Sequence, residues 1–350
     1  MNCRAAAIGL ACAASAIALP STAAARTHMV WAGGSPKFQK TVKARLGGEV
    51  NDFFPHQVTV HQGDTVQWQG MSIGFHNVDF PKRGGGDLPF IVPTNTPIGG
   101  LTDFAGNPFW FNGQSNLGFN PQLFAATGGG SYDGSTRADS GLPVGKPAPF
   151  KLTFTKPGTY VYFCDLHYGM RGIVVVMPRS TKIPTQAQEA DAIATQQSRA
   201  TRTAKALAGT RVNGKVSVGV SGAGGVDLLA MFPGTVRVRV GSKLTFSIPP
   251  DSGETHTVTF GPANYLRPLE TSIAGPTPAA TAVYPSSESG PIPVPGTHGN
   301  GFANSGDLDR GDDAPFKARV TFQFTAAGTY HYVCLVHPFM HGTIIVSGSA

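Results

Sequence analysis

Residues 158–176 read GTYVYFCDLHYGMRGIVVV, and residues 328–346 repeat this pattern as GTYHYVCLVHPFMHGTIIV. Each stretch begins with glycine, followed by aromatic and β-branched residues, a short loop segment and a second, apolar segment. This pattern is typical of two adjacent strands joined by a loop. The chain also holds 45 glycines and 28 prolines in 350 residues, as short strands separated by turns require. We therefore predict an all-β fold of two tandem Greek-key β-sandwiches.

The repeat extends upstream of these two stretches. Aligning Gly63 with Gly241, each at the start of a predicted strand, places the valines at 58 and 60 over those at 236 and 238. The histidine of Phe75-His76-Asn77-Val78 then corresponds to that of Thr255-His256-Thr257-Val258. Self-similarity of this extent indicates an internal duplication.

The length of the chain supports two domains that each bury their own core. We predict a first sandwich over residues 26–178, a linker over 179–209 and a second sandwich over 210–350. The linker is rich in alanine and glutamine, with Pro184 before its start and Gly209 at its end, a pattern that favours a helix. Because it has few large apolar residues, we expect this helix to be a surface connector.

The first 25 residues resemble a secretory signal rather than part of the fold. Arg4 precedes the apolar run 5–19, and Ala23-Ala24-Ala25 offers a cleavage site. The run is too short to cross a membrane, and the residues before Cys12 fit a lipidation signal poorly. We predict an exported protein, periplasmic or extracellular, that is cleaved near Ala25 and has no transmembrane segment.

The net charge of +7 is concentrated in the linker region. Residues 179–215 hold 7 basic and 2 acidic residues, whereas the two predicted sandwiches are close to neutral. A solvated basic helix explains this distribution, and we expect no nucleic-acid partner.

The two repeated loops each combine a thiolate, an imidazole and a thioether within seven residues. These are ligands of type 1 copper, because soft sulfur suits Cu(I) and imidazole suits both oxidation states. Such a site needs a second imidazole, which the upstream histidine of each repeat supplies. The predicted metal ligands are His76, Cys164, His167 and Met170 in the first domain, and His256, Cys334, His337 and Met340 in the second.

The cysteines also allow two other interpretations, a disulfide and a structural zinc site. After signal cleavage only Cys164 and Cys334 remain, and in an exported protein two cysteines often form a disulfide. A disulfide, however, gives no reason for the repeated histidine and methionine. Structural zinc accepts cysteine and histidine but rarely methionine, so copper is favoured.

At these residues the sequence resembles the cupredoxins, and most closely the amicyanin and plastocyanin branch. The resemblance rests on His76-Asn77-Val78, the Gly-Thr-Tyr turn and Cys-x-x-His-x-x-Met followed by glycine and a strand. It implies the two ligand sets given above and two type 1 coppers per chain.

Two departures from that family stand out. In each repeat, the segment between the first histidine and the cysteine is long and rich in glycine and proline. The segment of the first repeat is also rich in aromatic residues, whose default role is packing. These aromatics are Phe104, Phe109, Trp110, Phe111, Phe119 and Phe124. The second departure is Thr257 in the position of Asn77, a residue that in the family ties the ligand segments together, so we expect a looser second site.

Electron transfer is the function that this pattern favours, with redox partner proteins docking at the exposed edge of each loop histidine. Copper storage is an alternative. A copper oxidase or nitrite reductase is disfavoured because the chain has no His-x-His pair and has Phe163 and Val333 where a reductase has histidine. We therefore expect no enzyme activity, and a homo-oligomer is possible.

A further hypothesis places a third copper site at the N-terminus left by cleavage. There the amine of Arg26, two amides and His28 could enclose Cu(II) in a square plane, with a frayed terminus as the alternative.

Overall fold

The computed structural model describes residues 24–145, 148–310 and 316–348. The elements of the first half are β1 (Thr27–Ala32), α1 (Pro36–Leu46), β2 (Gly48–Val50), β3 (Phe53–Phe54), β4 (Gln57–His61), β5 (Thr65–Gln69), β6 (Asp79–Phe80), β7 (Ile91–Pro97), β8 (Ser115–Phe119), β9 (Gly130–Tyr132), β10 (Ala138–Asp139), β11 (Phe150–Phe154), β12 (Gly158–Phe163) and β13 (Arg171–Met177). Those that follow are α2 (Gln186–Leu207), β14 (Val216–Gly222), β15 (Val226–Phe232), β16 (Thr235–Arg239), β17 (Lys243–Ser247), β18 (Thr259–Phe260), α3 (Ala263–Ile273), α4 (Ala280–Val283), β19 (Ile292–Val294), β20 (Ala303–Asn304), β21 (Arg319–Phe324), β22 (Gly328–Val333) and β23 (His341–Ser347).

Each half forms the two sheets of a sandwich, and the strand orders of the two halves correspond, while β7 and β8 form a further two-stranded sheet in the first half. The first half has sheets β3-β1-β5-β11-β9 and β10-β6-β12-β13-β4. The second half has β15-β14-β17-β21-β19 and β20-β18-β22-β23-β16, which repeat those orders strand for strand. The prediction of an all-β fold with two sandwiches is confirmed.

Apolar residues from both sheets of each half meet in one core. In β13 buried residues alternate with partly exposed ones, so Val174 and Val176 point inward. The first core includes Trp68, Phe80 and Tyr162, whose rings contact one another with centroids 4.7–5.3 Å apart. The second core is built in the same way from aromatic and branched side chains of both sheets.

The boundary between the halves is crossed by one strand. Strand β2 lies in the first half of the sequence but pairs antiparallel with β15, extending a sheet of the second half. Val50 opposes Val226 in this pairing, and Leu228 opposes Gly48. The segment α1–β2 therefore joins the two sandwiches.

Helix α2 occupies the segment between the halves. It begins with a capping box in which the Thr185 hydroxyl accepts from the Gln188 amide while the Gln188 side chain accepts from the Thr185 amide. The expectation of a surface connector is wrong in part, because Ala200 and Ala204 are buried against Phe38 and Val220. Small residues on one face let the helix pack closely between the two sandwiches.

The long insertions form a third apolar cluster shared by both halves. Phe109 and Phe111 of the first insertion are buried with Tyr284 and Phe302 of the second. The rings of Phe111 and Tyr284 stack at 5.2 Å, and the Trp110 indole donates to the Pro285 carbonyl oxygen. The insertions therefore fix the relative position of the two sandwiches.

The N-terminal copper hypothesis is wrong. His28 lies within β1, whose backbone pairs with β5, and its side chain is buried. Its two ring nitrogens lie 2.9 Å from a Glu189 oxygen and 3.1 Å from an Asp64 oxygen. Neither the imidazole nor the amides are free to enclose an ion.

The predicted signal peptide lies almost wholly outside the described residues, as does Cys12. In the part of the chain that the structure describes, no helix is both long and apolar enough to span a membrane.

Candidate metal centres

The first predicted ligand set converges at one end of the first sandwich. His76 Nδ1 and His167 Nδ1 lie 3.0 Å apart, and Cys164 Sγ lies 3.8 Å from the former and 3.3 Å from the latter. Gly74 lies two residues before His76. A Cβ atom at position 74 would lie 2.2 Å from the His76 ring, so only glycine leaves room for the imidazole. Cys164 and His167 come from the loop between β12 and β13.

The second set forms the corresponding triangle in the second sandwich. His256 Nδ1 and His337 Nδ1 are 3.3 Å apart, and Cys334 Sγ lies 3.8 and 3.9 Å from them. Both cysteines are buried and free, which excludes the disulfide interpretation in this structure.

The spacing of each donor triangle suits one ion at its centre. An ion bonded at roughly 2.0–2.3 Å to three coplanar donors requires donor separations of about 3.5–3.8 Å, close to the values of both sets. Met170 and Met340 are buried beside these donors, and each accepts the cysteine amide at its carbonyl oxygen at 2.9 Å. The thiolate, two imidazoles and a thioether of each set are the donors that copper prefers.

Burial and neighbouring charge determine the protonation of these donors in the metal-free protein. Burial lowers the pKa of His76 well below its usual value, and the charge of His167 lowers it further. At Cys334 burial raises the pKa, but hydrogen bonding and the charge of His337 outweigh it, so the thiol pKa is lowered. A neutral imidazole and a readily ionised thiol are the forms that bind metal.

The expectation of a looser second site is wrong. Asn77 Oδ1 accepts the Asp165 amide at 2.8 Å, tying the first histidine segment to the cysteine loop. Thr257 makes the equivalent tie, because its Oγ1 accepts the Leu335 amide at 2.7 Å. The Thr257 amide also donates to Cys334 Sγ at 3.3 Å.

The two sites differ in the charge behind them. Three buried carboxylates of the first sandwich, Asp79, Asp139 and Asp165, place oxygen atoms within 4.8 Å of one another. The corresponding positions of the second sandwich are neutral. They are Thr259, Asn304 and Leu335.

This acidic cluster is only partly neutralised. Arg137 forms an ion pair with Asp79, and the Asn77 amide donates to Asp139 and Asp165 at 3.1 and 2.6 Å. Burial, with a further contribution from the charge of Asp165, raises the pKa of Asp139 to about 7. Burial and the two neighbouring carboxylates raise the pKa of Asp79 to about 8, although Arg137 opposes the rise.

We expect the first site to have the lower reduction potential. Negative charge behind a metal favours its oxidised state, and a hydrogen bond to the thiolate, as at Cys334, favours the reduced state. Replacing Asp139→Asn should raise the potential of the first site by about 30–60 mV, where about 59 mV is tenfold in a one-electron equilibrium. A redox titration at a pH above the Asp139 pKa measures this, and a shift of the second site instead would contradict it.

We also expect the metal-free protein to lose stability as the pH rises toward neutrality. The folded state keeps a proton on Asp139 up to about pH 7, whereas an unfolded aspartate releases it near about pH 3.9. The stabilisation is therefore complete below the unfolded pKa and is lost as the pH passes the folded pKa. In the Asp139→Asn variant, the decrease in the free energy of unfolding over this pH range should be smaller by about 2–4 kcal/mol.

Urea unfolding between about pH 4 and about pH 8 tests this prediction. Asp133→Asn is the matched control, since Asp133 lies in the same sandwich but pairs with Lys156 at the surface. An unchanged pH slope in the Asp139 variant would show that Asp139 is ionised in the folded protein.

The two candidate sites lie opposite each other across the interface between the sandwiches. One Glu254 carboxylate oxygen lies 3.6 Å from His167 Nε2, and the other lies 3.5 Å from His337 Nε2. These ring nitrogens are the outer edges of the loop histidines, because the Nδ1 atoms point into the donor triangles. The prediction that each edge is exposed for docking is wrong, since only 5% of the His167 side chain and 15% of the His337 side chain are exposed.

Glu254 is held in place by residues of both halves. The Asn51 side-chain amide, directly after β2, donates to Glu254 Oε1 at 2.7 Å and to Asp227 at 3.2 Å. Burial raises the pKa of Glu254, but the charges of His167 and His337 outweigh it, so the carboxyl pKa is lowered overall. Burial lowers the pKa of His167, and the charges of Glu254 and Cys164 reverse this and raise it to about 9.

Sequence reasoning identified the eight ligand candidates but missed Glu254 and Asn51. Glu254 lies two residues before His256, where the first repeat has Gly74, so the difference was visible as a break in the repeat. Nothing in the sequence indicated that this carboxylate contacts the other half.

Residues 40–177 match the family model described as copper binding proteins of the plastocyanin/azurin family. Among solved structures, a reduced tryptophan-to-tyrosine mutant of amicyanin is 19% identical and covers 40% of this chain and 89% of its own, with a TM-score of 0.22. A purple cupredoxin from Nitrosopumilus maritimus is 20% identical and covers 39% of this chain and 100% of its own, with a TM-score of 0.21. No curated protein sequence shows significant similarity to the chain.

Proposed function

We propose that the whole chain is an exported electron-transfer protein with two type 1 coppers, because residues 40–177 match the model of the plastocyanin/azurin family of copper binding proteins. When bound, copper supplies a one-electron couple at each site. The observation that carries the proposal is the pair of donor triangles that lie opposite each other across Glu254.

The residues of each triangle have separate roles. Cys164 and Cys334 provide thiolates that are shielded from water, while His76 and His256 are fixed by their packing inside the sandwiches. His167 and His337 would hold the ion through Nδ1, while their Nε2 atoms face Glu254 at the interface. The rigid sheets on either side keep these positions alike in both oxidation states.

Glu254 connects the two sites by a short path of protein atoms. The path runs from the His167 ring through one carboxylate to the His337 ring, with contacts of 3.6 and 3.5 Å. Its atoms are largely buried. With copper bound at both donor triangles, this path would let the chain hold up to two electrons as one unit.

Partner proteins would dock elsewhere than at the histidine edges. Tyr168 and Phe339, which follow the loop histidines, are 49% and 56% exposed and offer one apolar contact point at each site. Weak redox encounters use small surfaces of that kind. We propose no oxygen or nitrite turnover, because no histidine precedes Cys164 or Cys334 to hold another copper.

The test is electron redistribution within single chains. Copper-loaded protein should contain two coppers, and a pulse of reductant that supplies less than one electron per chain should be followed by redistribution between the sites. The redistribution rate should be independent of protein concentration. The variant Cys334→Ser, which keeps one thiolate, is the control and should show no such phase.

Two results would overturn the proposal. One is a loaded chain with a single copper and a single visible signal. The other is a redistribution rate that rises in proportion to protein concentration, which would show exchange between molecules.

A further inference from the structure

A cleft of about 600 Å³ opens between the two sandwiches beside the paired histidines. Its volume lies within the range of roughly 300–1,000 Å³ that small-molecule sites occupy. His167, His337 and Glu254 all line it, so both candidate copper sites reach the same space.

The walls of the cleft are mostly apolar and aromatic. Phe90 and Phe119 lie at the wall with their rings stacked at 4.8 Å, and Phe119 contacts Phe124 at 6.3 Å. At the rim, Ile73, Phe75 and Phe124 are 41%, 43% and 39% exposed. Flat rings at these spacings favour a planar aromatic ligand, which can stack or contact them edge to face.

The backbone at the rim is strained. Among the described residues, Phe75 is the only non-glycine residue with a positive φ, at 57°. An aromatic residue seldom adopts this conformation, and such strain persists where surrounding structure enforces it, often at ligand sites. With this backbone conformation, Phe75, the residue directly before the candidate ligand His76, lines the cleft.

The polar groups of the cleft favour an uncharged ligand with hydroxyl groups. The Glu254 carboxylate can accept a hydroxyl hydrogen bond, and the outer nitrogens of both loop histidines lie beside it. Glu49 pairs with the Lys43 ammonium at 2.7 Å, so the charge of this lysine at the cleft is offset.

We propose that this cleft binds aromatic diols of the hydroquinone class as electron donors, an inference that rests on the proposed electron-transfer function. Copper bound at the two donor triangles would accept one electron at each site. Together these match the two electrons that a hydroquinone loses in becoming a quinone, while its two protons pass to water at the mouth. The aromatic wall holds the ring, and Glu254 orients one hydroxyl between the two histidines.

Binding is tested first on metal-free protein with resorcinol, an aromatic diol that does not form a quinone readily. Calorimetry or chemical-shift titration should show one site with a dissociation constant of about 0.1–1 mM, a range suited to a ligand of this size. Cyclohexanediol, which lacks the flat ring, should bind about tenfold more weakly. Absence of resorcinol binding, or equal binding of the two diols, would overturn the proposal.

Matched phenylalanine variants locate the site. Phe124→Ser, at the rim, should weaken resorcinol binding about fivefold or more through loss of an aromatic contact. Phe104→Ser removes an exposed ring that is not part of the cleft lining and should leave binding unchanged. Ile73→Trp, which narrows the mouth, provides a second blocking variant if Phe124→Ser does not fold. Equal effects at positions 104 and 124 would place binding outside the cleft.

The electron count is tested on copper-loaded protein under nitrogen. Each methylhydroquinone consumed should bleach two coppers and yield one quinone, and the half-saturating concentration should rise in Phe124→Ser but not in Phe104→Ser. Hexaammineruthenium(II), which needs no binding site, should reduce all variants alike. A bleaching rate that remains linear in methylhydroquinone and is equal in both variants would overturn the proposal.

The outcomes separate this inference from the proposed function. If resorcinol binds but the chain takes up no copper, the electron-transfer function fails while the ligand site stands. If the chain is blue and redistributes electrons but binds no diol, only the ligand site fails.

Discussion

Replacing Cys164→Ser or Cys334→Ser is expected to remove about half of the visible absorbance of the copper-loaded protein, because the blue band arises from charge transfer from a cysteine thiolate. Each variant should bind one copper fewer in the blue form, and the double variant should be colourless. The reason is that the sites are separate, since each donor triangle contains one thiolate, which contacts the two histidines of its own triangle. Absorbance and metal analysis of the same samples measure the effect.

Asn77→Thr is the matched control for these variants. This substitution places threonine, the residue that binds the cysteine loop in the second site, at the corresponding position of the first site. It removes no metal ligand. The blue band of the first site should therefore persist. A double cysteine variant that stays blue would refute the assignment of both centres.

Replacing Glu254→Gln is expected to raise the reduction potentials of both sites together. The carboxylate lies within 3.6 Å of both loop histidines and is almost fully buried, so its charge favours the oxidised state at each site. For a charge roughly 7 Å from each metal and an effective dielectric constant near 20, the interaction is about 2 kcal/mol, or about 100 mV for one electron. Redox titration of each blue signal measures both shifts.

The control for this prediction is Glu49→Gln. Glu49 also lines the cleft and lies within 4.8 Å of His167, but its charge is offset by the Lys43 ammonium, so its removal should shift the potentials by less than Glu254→Gln does. Glutamine at 254 keeps the volume of the side chain and can still accept the Asn51 hydrogen bond. A shift at one site alone would mean that the two histidines do not share this carboxylate.

Several features were predictable because they are local in sequence. The strand-loop-strand pattern around each cysteine, the duplication and the ligand spacing all lie within short windows, where backbone geometry and side-chain chemistry determine the outcome. The helix after Pro184 follows from composition and end signals in the same way. The apolar face of that helix was harder to recognise, because it consists of alanines whose burial depends on Phe38 and Val220 from other elements.

The equivalent roles of Asn77 and Thr257 could not be predicted from the sequence. The sequence shows the substitution, but a hydroxyl and an amide oxygen can accept the same backbone N–H when the segments are close enough. Only the 2.7 Å bond from the Leu335 amide to Thr257 shows that the tie is kept.

The sequence by itself determined the two sandwiches and the two sets of metal donors, because periodicity and ligand spacing act over a few residues. Tertiary structure alone decided how the sandwiches are arranged. The pairing of β2 with β15 and the shared packing of the insertions bury the edges of His167 and His337 against Glu254. Glu254 is 87 residues from one histidine and 83 from the other. Contacts at such separations depend on the packing of whole domains, so no local pattern encodes them.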